Sequence, residues 1–131
     1  MSYEIVGALF RAYNKLGPGL RERHYQRALA EAFRLINVPF REQVGVALDF
    51  EGKLVGRYFV DFLIAERVVL EIKQGDFCSV DHLLQVKRYL GALGLRLGIL
   101  ANFGSRRVVY RRVLVGPKTQ ESRMDANVTN K

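Results

Sequence analysis

The sequence predicts an α/β fold: a mixed sheet with three antiparallel strands, a crossover helix and two further strands, and helices on both faces of the sheet. Three observations carry that prediction. Residues 3–36 place apolar side chains at helical spacing, broken once by Gly17-Pro18-Gly19. Residues 43–74 alternate between apolar and polar through two tight turns. A segment of about twenty residues containing a helix then separates the third strand from the fourth, which suits a right-handed parallel connection.

The first helix, residues 3–16, lines up Ile5, Val6, Leu9, Ala12, Tyr13 and Leu16, with Ser2 expected as its cap. The second runs from about 20 to 36 and ends at Asn37-Val38-Pro39. Its apolar stripe is Tyr25, Leu29, Ala32, Phe33 and Ile36, opposite Arg23, Arg27 and Arg34. One turn backward the stripe lands on Glu22, so a carboxylate is expected to point inward.

Val44, Val46 and Leu48 alternate in the first strand, and a turn at Glu51-Gly52 leads into the second, residues 54–64. This strand folds back on residues 68–74. One face of the hairpin takes Tyr58, Val60, Phe62, Ile64, Val68, Leu70 and Ile72, all apolar. The other takes Phe59, Asp61, Leu63, Val69, Glu71 and Lys73. A third helix, residues 79–93, is capped by Ser79 and carries Val80, Leu83, Leu84, Val86, Leu90 and Leu93, with His82, Gln85 and Tyr89 along one flank. Strands at 96–103 and 107–115 close a single domain spanning residues 1–115. Residues 116–131 have no apolar period and are expected to be a disordered tail.

The two acids on an otherwise apolar face need a reason. A three-residue loop Ala65-Glu66-Arg67 sets Asp61 directly opposite Glu71, where like charges repel. A buried network with Lys73 is one answer. A divalent cation is the other, with Glu22 joining if the second helix packs on this face. Hard oxygen donors suit Mg²⁺ or Mn²⁺ better than zinc. Such an ion activates water for attack on a phosphodiester, with Lys73 next to that water or to the developing negative charge.

The spacing Asp61…Glu71-Ile72-Lys73 resembles the PD-(D/E)-x-K nuclease signature, with Val60 where the signature has proline. Gly19-x-x-Glu22-x-x-Tyr25 looks like the motif of the GxxExxY family, a bacterial branch of that superfamily. "LEIK", "HLLQVKRYL" and "GILANFG" follow in the expected order, so the resemblance covers roughly residues 3–115. It implies a restriction-endonuclease-like core, Asp61 and Glu71 as metal ligands, Lys73 as a catalytic residue, Glu22 joining the metal site and Gln85 assisting.

Composition bounds the partners. Lys and Arg total 21 against 13 acids, a net charge of +8, which attracts polyanions. Fifteen of the bases are arginine, whose fork suits phosphate oxygens. Nucleic acid is the expected partner, DNA ahead of RNA, and Arg106, Arg107, Arg88 and Lys87 are the expected phosphate contacts. Pairing of two copies is left open, as a homodimer. No apolar run reaches the ~20 residues of a membrane helix. No signal peptide is read, and one cysteine, Cys78, fits a reducing compartment, so the expected location is cytoplasmic. Cys78 and His82 lack further zinc ligands nearby. The function read from the sequence is thus a metal-dependent nuclease, with a non-catalytic nucleic-acid-binding or protein-interaction module on the same fold as the alternative.

Overall fold

The structure is a computed structural model that describes residues 1–116. Its elements are α1 (Ser2–Leu16), α2 (Glu22–Leu35), β1 (Phe40–Phe50), β2 (Lys53–Ile64), β3 (Val68–Gln74), α3 (Val80–Leu93), β4 (Leu97–Phe103) and β5 (Val108–Leu114). The five strands form one sheet in the order β1-β2-β3-β4-β5. β3 and β4 run parallel and the other neighbours antiparallel, as expected from the lengths of their connections. The predicted tail, but for Gly116, lies outside the described residues.

Helices cover both faces. On one, α1 and α2 bury Ile5, Leu9, Tyr25, Leu29 and Phe33 against Phe62, Leu70, Ile72, Ile99 and Phe103. On the other, α3 buries Val86, Tyr89 and Leu90 in a cluster with Val69, Leu100 and Val113. α3 crosses β4 at Gly98, where an added Cβ would stand 2.5 Å from Val86 Cγ1. Only a residue without a side chain lets the helix come this close.

Three expectations about the helices fail locally. Ser2 lies inside α1, whose cap position is Met1, and its hydroxyl accepts instead from Arg112 Nε at 3.4 Å. Ser79 does cap α3, accepting the His82 N–H at 3.1 Å. The buried face of α3 includes Tyr89 and leaves Val80 and Leu84 exposed, because the side chains meeting Gly98 and the sheet centre set the helix's rotation. The third failure concerns α2, and it bears on the site.

Candidate active site in a fork between two strands

The Asp61–Glu71 hairpin register is the expected one. Ile64 pairs with Val68, Leu63 with Val69 and Phe62 with Leu70. The loop holds it with Ala65 and Glu66 both at positive φ, and Arg41 clamps the Glu66 carboxylate through two bonds of 2.8 and 2.9 Å. Beyond Phe62 and Leu70 the ladder stops. β2 continues alongside β1, while β3 continues alongside β4, so the sheet forks at Asp61 and Glu71.

The acids fill the fork. Glu71 Oε1 accepts the Asp61 N–H at 3.1 Å, and Asp61 Oδ2 accepts the Ile72 N–H at 2.8 Å. Each carboxylate thus replaces a ladder bond with one oxygen and keeps the other. Gln43, opposite Asp61 on β1, takes φ 50 and donates to Asp61 Oδ1 at a long 3.4 Å. Past this kink the faces of β2 exchange: Val60 joins the α3 cluster, and the Tyr58 ring meets Tyr89 with centroids 6.1 Å apart. The single apolar face expected for Tyr58, Val60, Phe62 and Ile64 is therefore divided.

The second helix does not lie over the acids; it covers the opposite face, and α3 covers theirs. α2 has a large apolar stripe, and the strand residues matching it are Phe62, Leu70, Ile72 and Phe103. Yet the polar edge of α2 still reaches the fork. Glu22 Oε2 accepts the Gln74 N–H at 3.1 Å, and Gln26 accepts from Gln43 at 3.3 Å. Tyr25 fixes this end of the helix: it stacks on Phe103 at 4.2 Å, and its hydroxyl donates to Gly17 O at 2.6 Å.

Electrostatics follow from enclosure. Glu71 is 3% exposed. Burial first, then the neighbouring Asp61 charge, push its carboxyl up to about 8. Burial raises Asp61 too, against its bonds to Ile72 and Gln43. Glu22 is close enough to raise both, and Lys73 to lower both. The Tyr89 phenol is pushed well up, by burial and then by Glu71 and Asp61, so it stays protonated.

Lys73 Nζ stands 3.9 Å from Glu71 Oε2, an ion pair too long for a hydrogen bond. Gln85 lies on α3 one turn before Tyr89, and its buried Oε1 has no partner among the described residues. Glu22, Asp61 and Glu71 do not close into a three-ligand cluster: among the described residues no three His, Cys, Asp or Glu side chains gather tightly enough. The four expected phosphate contacts separate into two pairs. Arg106 and Arg107 sit in the β4–β5 turn beside Asp76, while Lys87 and Arg88 lie exposed on α3. The Cys78 thiol is pushed up by burial, as for an inert small hydrophobe.

Sequence reading missed two polar residues at the site. Gln43 carries no signal in its strand pattern. Asn102 pairs with Lys73 in the β3–β4 ladder, is 2% exposed, and has a buried Oδ1 without a partner among the described residues. Its signal was available: an amide where a parallel central strand is otherwise apolar.

A five-stranded mixed sheet between helical layers, with an acid–acid–lysine set on two strands that part, defines the restriction-endonuclease-like class of α/β fold. The chain belongs to the PD-(D/E)XK nuclease superfamily, whose sequence profile matches residues 1–113. No curated protein matches it. Among solved structures, the crystal structure of SSO0001 is similar with a TM-score of 0.57 and 18% identity, over 79% of this chain and 56% of that one. The chain therefore spans little more than half of that relative, and the likeness concerns the fold. An alkaline exonuclease from Laribacter hongkongensis aligns over 99% of this chain and 86% of its own, at 9% identity and a TM-score of 0.41. Nucleases of this superfamily generally use divalent metal ions. No helix among the described residues is long and apolar enough to cross a membrane.

Proposed function

We propose that this chain hydrolyses phosphodiester bonds of nucleic acid, using Mg²⁺ or Mn²⁺ held by Asp61 and Glu71. The observation that carries the reading is the division of labour within each carboxylate. One oxygen is spent on the backbone of the fork, while Asp61 Oδ1 and Glu71 Oε2 have no strong partner. Two carboxylate oxygens fit Mg²⁺, which typically takes one or two and fills its other positions with water and phosphate. When bound, the ion supplies Lewis acidity and a water of lowered pKa.

The protein's own groups do the rest. Lys73 places a positive charge beside Glu71 without being consumed by a short ion pair, so its donors are free for a phosphate oxygen or the attacking water. Asn102, its ladder partner, offers an unused amide oxygen that can hold the ammonium in place. Gln85 presents a second unused amide oxygen from α3. Glu22 acts mainly through position: it ties α2 to the end of β3 and adds negative charge that favours a cation. The Gly19-x-x-Glu22-x-x-Tyr25 motif supports membership of the GxxExxY branch, with Tyr25 anchoring the helix that carries Glu22. Arg106, Arg107, Arg88 and Lys87 supply phosphate contacts from two separate places.

Incubation with labelled single- and double-stranded DNA and RNA, with Mg²⁺ or Mn²⁺ or with chelator, tests the reading. Metal-dependent cleavage is expected, abolished in Lys73→Met and Glu71→Gln. A stably folded Lys73→Met variant that cuts at the parental rate would falsify the catalytic assignment.

A further inference from the structure

We propose that the C-terminal end of β3 and the β4–β5 turn form a groove for single-stranded nucleic acid, with Phe77 as a base-stacking platform and Arg106 and Arg107 as phosphate contacts. The inference deepens the nuclease reading and rests on it for nucleic acid as the ligand. Two depressions meet here. One, of about 360 Å³, begins at Gln74 and Gly75, immediately after Lys73. The other, of about 340 Å³, is lined by Phe77, Arg106 and Arg107. Asp76 and Ser105 belong to both, so the surface is continuous from the C-terminal end of β3, beside Pro18 and Gly19, to the arginines.

Phe77 is 82% exposed, among the most exposed of the large apolar side chains. The other residues lining its depression, Asp76, Ser105, Arg106 and Arg107, are all polar, which suits a single flat ring as partner better than a protein surface. Neither Arg106 nor Arg107 forms an ion pair among the described residues. Asp76 is the one acid lining the groove; it stays ionised, with the Arg106 charge nearby, and so offsets part of the positive charge of the two arginines. Its Oδ1 accepts the Ser105 N–H at 2.6 Å and the Ser105 hydroxyl at 3.0 Å, bonds that hold its pKa below the usual carboxylate range. Those bonds set the shape of the turn that presents the two arginines. Gly104 makes the approach feasible, since a Cβ there would stand 2.6 Å from Asp76 Oδ1 and 2.9 Å from Arg107 O.

Stacking explains the preference for a single strand. Within a duplex the base faces are already covered by their neighbours, whereas an unpaired base can lie on an exposed aromatic ring. Phosphates flanking that base then meet guanidinium groups that form no short ion pair among the described residues.

The test is a binding titration of the full chain without divalent ions, so that cleavage plays no part. Fluorescence anisotropy would compare labelled oligothymidylate and oligouridylate of about twelve nucleotides, enough to cover one such groove, with a duplex of equal length. Single strands should bind more tightly than duplex. Phe77→Ala should weaken single-strand binding about tenfold, the scale of one base–aromatic stack, leave duplex binding unchanged, and be rescued by Phe77→Trp. Replacing Arg106 and Arg107 together by Gln should weaken binding to both forms and flatten the salt dependence. The two homopolymers report whether the strand is DNA or RNA. Equal affinity for single strand and duplex, or parental affinity in Phe77→Ala, overturns the proposal. Phe77-dependent binding in a protein that never cleaves would remove the nuclease reading and leave this surface standing; cleavage without Phe77-dependent binding would do the reverse.

Discussion

Asp61 and Glu71 are joined through the backbone rather than through their charges: the Asp61 amide donates to Glu71 Oε1 at 3.1 Å, and the Ile72 amide donates to Asp61 Oδ2 at 2.8 Å. The two acids therefore hold the fork open as well as face each other within it. A substitution that truncates either side chain also removes an acceptor for a backbone N–H.

That double duty separates two variants at one position. Asp61→Ala leaves the Ile72 N–H without its acceptor, at a cost of ~1–3 kcal/mol, seen as a melting temperature lower by several degrees. Asp61→Asn keeps an acceptor and should melt within a few degrees of the parent. Both should lose most of the upward shift that millimolar Mn²⁺ gives the parent. A full Mn²⁺ shift in Asp61→Asn would remove Asp61 as a ligand.

Glu71 makes stability depend on pH. Its folded-state pKa of about 8 lies above the unfolded value of ~4.3. Between those values the folded chain binds more protons, so its stability falls as pH rises from about 5 to 8. Asp61, also raised, acts in the same direction. Without metal the melting temperature should drop across that window by ~5 °C or more, and Glu71→Gln should flatten the drop. Mn²⁺ should restore stability at the alkaline end, where the carboxylates are free to bind it. A parental profile in Glu71→Gln would locate the titration elsewhere.

Asn102 offers a test in which structure and chemistry move in opposite directions. Asn102→Leu replaces a buried amide whose oxygen has no partner, so melting should be unchanged or higher. Cleavage should fall about tenfold, the effect of ~1.4 kcal/mol on a barrier, because Lys73 loses its neighbour. The loss should appear in kcat rather than KM. Parental kcat would leave Asn102 with a packing role alone.

Gly98 tests whether the α3 contact supports the site. An added Cβ 2.5 Å from Val86 Cγ1 must displace the Val86 side chain or the helix that also carries Gln85 and Tyr89. Gly98→Ala should cost ~1–3 kcal/mol and lower cleavage, although residue 98 itself is remote from the acids in sequence. Unchanged melting would mean that α3 yields without strain.

The element order, the hairpin register and the placing of Asp61 across from Glu71 were legible in the sequence. Each is set locally: side chains alternate along a strand, and a three-residue loop fixes which residues face each other. The acid–acid–lysine set could be read for the same reason. Which helix covers which face could not. α2 and α3 both carry apolar stripes, and the choice depended on Gly98 admitting α3 to one face and on Tyr25 stacking against Phe103 on the other. The fork itself, the kink at Gln43, and the register that sets Asn102 beside Lys73 are likewise products of the assembled sheet. Alternation and loop length act over a few residues and are written in the chain. Helix placement and strand divergence depend on side chains dozens of residues apart, which only the folded core brings together.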